Sequence, residues 1–148
     1  MRISGHGLSI DVPTGWEARI ARREHSAPFL HVASCALRAD SGQFGASVTG
    51  AMGPDRAFAA LVEYATDADV RPGGGLFAGR FKPRLGLHEF RHTQLQVMRP
   101  GHLGMQRFFT ATGRPYCLYA VISPVRRRPA ALAGELSAVL RTVRFGPR

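Results

Sequence analysis

Gly7-Leu8-Ser9-Ile10-Asp11-Val12-Pro13-Thr14-Gly15-Trp16-Glu17 alternates apolar and polar residues as far as Val12 and then breaks at a Pro-Thr-Gly turn. Leu8, Ile10 and Val12 fall on one side of an extended chain, with Ser9 and Asp11 on the other. That two-residue period is the mark of a half-buried strand. Trp16 opens a second alternating run to Ile20, so the segment predicts a pair of strands joined by the turn.

Outward from this stretch, Phe29 to Leu37 is rich in apolar and β-branched residues and predicts a further strand. Phe44 to Thr49 is its expected partner across the polar turn Asp40-Ser41-Gly42. Phe58, Leu61, Val62 and Ala65 recur at helical spacing after Gly53-Pro54-Asp55, which predicts a helix from about Pro54 to Thr66. Arg71-Pro72-Gly73-Gly74-Gly75 then interrupts regular structure, and a short apolar run from Leu76 to Phe81 follows. Leu103 to Ala111 and Tyr116 to Ser123 flank Thr112-Gly113-Arg114-Pro115 and form the clearest hairpin. Pro129 suits the first position of a helix on which Leu132, Leu136, Val139 and Leu140 make one apolar stripe. Thr142 to Phe145 alternates as a short closing strand. The order strands, helix, strands, helix, strand predicts a single α+β domain over residues 1–148, an antiparallel β-sheet flanked by helices.

Both ends of this pattern resemble PsbP-like domains. Gly7 to Glu17 is similar to their opening strand and turn. At the far end, the strand ending in Ile122-Ser123-Pro124, the helix with Leu136, Val139 and Leu140, and Arg141-Thr142-Val143-Arg144-Phe145 are similar to the way such domains finish. Between the ends only the element order matches. The resemblance implies a PsbP-like α/β/α sandwich. Its members include photosystem extrinsic subunits, a Ran-binding nuclear import factor, bacterial lipoproteins of the DcrB and LpqN kinds, and chaperones of secreted effectors. It therefore implies a non-catalytic role as adaptor, chaperone or assembly subunit, without naming a partner.

Composition bounds these expectations. A chain of 148 residues, 45% hydrophobic and 20% charged, can bury a core without a metal or disulfide staple. The longest apolar run, Tyr116 to Ile122, falls far short of the roughly 20 residues of a membrane span. Met1 to Gly7 lacks the apolar stretch and small-residue site of a secretory signal, so the expected compartment is the cytoplasm. Cys35 and Cys117 sit in strand-like runs, where a buried free thiol acts as a small hydrophobe. A disulfide between them stays open if the strands are neighbours, against the reducing cytosol.

Twenty basic residues against 10 acidic ones give a net charge of +10, and every basic residue except Lys82 is arginine. Such a surface attracts acidic protein faces, nucleic acid or anionic headgroups. A GC-rich coding sequence would also give abundant Arg, Ala and Gly. Arg126-Arg127-Arg128 directly precedes the second helix, where three guanidiniums and a helix N-terminus together suit an anion, or else form a solvated loop. Arg114 in the hairpin turn and Arg99 before Pro100 are the next candidate contacts. The expected partner is another protein with an acidic surface, with self-association left open. Nucleic acid is the alternative, supported by Phe108, Phe109, Tyr116 and Tyr119 in the hairpin, although alternation sends at least half of these rings into the core.

His88-Glu89-Phe90-Arg91-His92 matches H-E-x-x-H, in which two histidines one helical turn apart hold zinc and the glutamate activates its water. The chemistry needs a helix, since in a strand the two histidines would lie about 13 Å apart. Gly86 and the alternation through Leu95 and Val97 predict an extended segment instead. For a third ligand, only His102 and Glu135 are conceivable. A zinc hydrolase using His88, His92 and Glu89 is therefore the third reading, and no cofactor or catalytic residue is assigned. Neither a phosphate-binding G-x-x-x-x-G-K-[ST] loop nor a G-x-S-x-G nucleophile elbow occurs.

Overall fold

Seven consecutive residues, Ala57–Glu63, are buried, and they form the middle strand of the molecule. This corrects the expected helix from Pro54 to Thr66. The apolar positions that match helical spacing lie inside a continuous apolar run, and a strand covered on both faces produces such a run as readily as a buried helix does.

The computed structural model describes residues 1–38 and 42–147. In chain order its elements are β1 (Arg2–Gly5), β2 (Leu8–Asp11), β3 (Glu17–Arg22), β4 (Pro28–Ala33), α1 (Ala46–Gly50), β5 (Ala57–Glu63), β6 (Leu103–Ala111), β7 (Arg114–Ile122), α2 (Pro129–Leu140) and β8 (Arg144–Phe145). Three-residue 3₁₀ turns occur at Gly75–Phe77, Leu87–Glu89 and His92–Gln94. The fold is α+β, with a three-stranded antiparallel sheet ordered β1-β2-β8 and a five-stranded one ordered β3-β4-β5-β7-β6.

Alternation along the strands divides the core between the two faces of the large sheet. Leu30, Leu61, Leu118 and Ile122 pack on one face against Leu8 and Ile10 of the small sheet and Leu132, Leu136 and Leu140 of α2. On the other face Phe29, Phe58, Val62, Tyr119 and Val121 meet Val48 of α1 and Met52 just after it. The large sheet is thus the middle of three layers.

Several expectations change in this frame. Leu8–Asp11 and Glu17–Arg22 are both strands, but not partners: β2 pairs with β1 and β8, while β3 pairs with β4. The Pro13-Thr14-Gly15 turn, closed by Trp16 N–H donating to Pro13 O at 3.1 Å, carries the chain from one sheet to the other. Phe44 to Thr49 is not a strand. It leads into α1, and Gly45 adopts φ 70°, where a Cβ would stand 2.2 Å from the Phe58 ring, so only glycine lets this backbone lie on the sheet. Asp40 and Ser41 of the expected turn lie outside the described residues.

The hairpin forms, in register from Leu103↔Ile122 to Ala111↔Arg114, but its turn is shorter than the expected Thr112-Gly113-Arg114-Pro115, since Arg114 and Pro115 already belong to β7. Its loop is the pair Thr112-Gly113, at φ 49° and 74°, the left-handed turn that matches strand twist. Pro129 begins α2 as expected. His88 to His92 is not a strand: it is split between two 3₁₀ turns, with Arg91 alone bridging to Gly104 of β6.

Candidate arginine-rimmed groove beside α2

The loop Val125-Arg126-Arg127-Arg128 joins β7 to α2, and its backbone presents successive N–H groups. Asp55 takes them: its Oδ1 accepts from Val125 at 2.8 Å, Arg126 at 3.0 Å and Arg127 at 2.9 Å. The expected anion position in front of the helix is thus filled by the chain's own carboxylate, which those N–H bonds hold below the usual carboxylate range. Arg127 is also engaged, in a two-pronged pair with Glu135 at 2.8 and 2.7 Å. Arg126 and Arg128 remain exposed, with no acidic partner among the described residues.

Arg114 points inward rather than outward from the hairpin. Its guanidinium donates to His6 O and Gly7 O at 3.2 Å and to Gly146 O at 2.7 Å, and lies 3.6 Å from Glu63. Glu63 in turn accepts the Tyr116 hydroxyl at 3.3 Å. A cleft of about 450 Å³ over this pair is lined by Arg22, His25, Tyr64 and Thr66. Arg99 lies on the far layer, its guanidinium against Gly50 at the end of α1. The predicted contacts are therefore not one surface: the 126–128 loop, Arg114 and Arg99 occupy three different places.

A site that the sequence reading missed lies along α2. Arg84 to Leu87 runs beside Ala130, Ala133 and Gly134, leaving a groove of about 310 Å³ with Arg84 and Arg141 on its rims. Ser137 fixes its floor, accepting the Leu85 N–H at 2.9 Å while donating to Ala133 O at 2.7 Å. Leu87 is 47% exposed at its mouth. Neither rim arginine has an acidic partner among the described residues. Small side chains on the helix leave room, the leucines supply apolar surface, and the two guanidiniums suit carboxylates. Nothing local in the sequence signals this, because Arg84 and Arg141 meet only through the docking of a loop on a helix.

Glu89, the glutamate of the H-E-x-x-H match, helps to build this groove. Arg107 of β6 grips its carboxylate with Nε and Nη2, the Nε contact being 2.7 Å, and Gly86 N–H adds a bond at 2.8 Å. The Arg107 bond, followed by that of Gly86, holds Glu89 below the usual carboxylate range, with burial opposing. Arg107 also donates to Lys82 O at 2.6 Å and Arg84 O at 2.7 Å, which fastens the segment carrying Arg84 to the sheet. His88, Glu89, Arg91, Gln94 and Gln106 line a small cleft, and no three His, Cys, Asp or Glu side chains converge as a metal site among the described residues.

Cys35 and Cys117 are both free thiols, and burial pushes Cys117 up to about 12. Of the hairpin rings, Phe109, Tyr116 and Tyr119 are buried, while Phe108 packs edge-on against Phe77 at 5.5 Å. They do not form an exposed stacking row. Among the described residues no helix is long and apolar enough to cross a membrane. Compared with protein-family models, curated proteins and solved structures, the chain matches none of them.

Proposed function

We propose that this chain is a non-catalytic protein-binding module, a cytoplasmic adaptor, chaperone or assembly subunit, which takes an acidic segment of another protein into the groove beside α2. The observation that carries this reading is the pair Arg84 and Arg141, without acidic partners among the described residues, across a floor of Leu85, Ala130 and Gly134. Arg126 and Arg128 continue the positive surface beyond the start of the helix. The resemblance of both chain ends to PsbP-like domains, whose members bind and assemble, supports the same role.

The test is affinity capture from the native host, followed by direct titration of the captured protein. An Arg84→Glu/Arg141→Glu variant should lose binding by at least about tenfold, since it reverses both rim charges. Failure to recover a stoichiometric partner, or one that binds this variant unchanged, sinks the reading. The net charge of +10 favours a second reading, binding of nucleic acid through phosphates. That reading requires an oligonucleotide complex whose affinity falls steeply with salt, and absence of any complex at low salt removes it.

A further inference from the structure

We infer that two copies of this chain associate edge to edge through β3, joining their large sheets across a two-fold axis centred on Ile20. This does not depend on the groove beside α2.

The two edges of the five-stranded sheet differ. Along β6, Gly104 N–H donates to Arg91 O at 3.0 Å while Gly104 O accepts from Arg91 N–H at 2.8 Å, and Thr110 N–H donates to Gly79 O at 2.9 Å. That edge is covered by the chain's own backbone. At β3 the phase of the ladder shows what is left over. Ser34 N–H bonds Ala57 O at 2.9 Å, so Val32 and Leu30, in step with it, face β5. Ala33, His31 and Phe29 therefore face β3, opposite Glu17, Arg19 and Ala21. The N–H and C=O groups of Ala18, Ile20 and Arg22 point away from the sheet, and among the described residues no backbone group bonds to them. An unpaired row of this kind is a template for another strand.

Charge selects the occupant and the register. A two-fold axis normal to the sheet keeps each face continuous and sets the strands antiparallel. Centred on Arg19, it would set Arg19 opposite its own copy. Centred on Ala21, it would set Arg19 opposite Arg23 of the second copy. Both place like charges directly across the ladder, which is destabilising. Centred on Ile20, it sets Glu17 opposite Arg23 of the second copy, twice by symmetry, Arg19 opposite Ala21, and Ala18 opposite Arg22. In that register the outward groups of Ala18, Ile20 and Arg22 all find partners. The groups needed are accessible: Glu17 is exposed and among the described residues makes only a long 3.5 Å contact with Leu37 N–H, and the Arg23 side chain is exposed. An axis centred on Ala18 would also set Glu17 opposite Arg19, but it would put Arg22 opposite Thr14, which precedes the strand, so the Ile20 register is the one that satisfies both the charges and the outward backbone groups.

Sedimentation equilibrium of the full chain reads this directly. Wild type should dimerise. Glu17→Arg and Arg23→Glu should each weaken the dimer about tenfold, because each puts like charges across both symmetric contacts. The double variant Glu17→Arg/Arg23→Glu should restore it. Ile20→Pro removes an outward N–H from an edge strand, where proline is tolerated, and should give a folded monomer by circular dichroism. A protein that stays monomeric at every concentration up to its solubility limit overturns the inference. So does a dimer unchanged by all of these substitutions.

Discussion

His31 is a titratable ring kept almost entirely from water, at 2% exposure, between Phe29 and Phe58 with ring centroids 4.6 and 5.3 Å away. Its Nε2 lies 2.6 Å from Gln43 O, so the neutral ring donates to the loop that leads into α1. Burial lowers its pKa to about 4; the Gln43 bond opposes this, and Arg19 and Arg23 add to it. The sign follows from proton counting. The unfolded chain takes up the proton near the ordinary value of 6.5 and the folded chain only near 4, so stability is full above 6.5 and falls as pH drops towards 4. The loss should reach about 3 kcal/mol. Urea unfolding at pH 7.5 and 4.5 should show a drop that His31→Phe largely removes. Equal pH dependence in both proteins would refute the assignment.

At the scale of elements, the β6–β7 hairpin and α2 were legible because a turn or a proline marks each boundary and the apolar period is clean between them. β5 was not, since burial on both faces erases the two-residue period, and α1 was not, since five residues are too few to show a helical one. Gly45 marks how closely α1's leading loop lies on the sheet. Gly45→Ala should cost about 2 kcal/mol, from a left-handed φ and displacement of the Phe58 ring, in a denaturation midpoint that shifts without a change of slope. Arg114 fastens the small sheet to the hairpin through three backbone carbonyls and sits beside Glu63, which is 4% exposed. Arg114→Ala should cost about 3 kcal/mol, and Arg114→Lys most of that, because an ammonium cannot reach the same carbonyls in a fork. A loss under about 0.5 kcal/mol by urea unfolding would show that the clamp is incidental.

For the whole molecule, the excess of 20 cations over 10 anions means that the folded chain repels itself at low ionic strength. Its melting temperature should therefore rise by a few degrees, about 3–5 °C, between low salt and about 0.5 M sodium chloride. A melting point that falls over that range would mean that attractive pairs dominate instead. The sum of charge was plain in the sequence, but its disposition was not. Arg114 and Arg127 satisfy internal partners, whereas Arg84 and Arg141 become neighbours only when the three layers close. The small sheet also fixes an order of events during synthesis. β2 is flanked on one side by β8, with Leu8 opposite Phe145, and Gly146 N–H donates to Gly7 O at 2.9 Å. A nascent chain must leave one edge of its β1–β2 hairpin unpaired while residues 12–143 are synthesised, so the small sheet closes only after translation has passed Gly146.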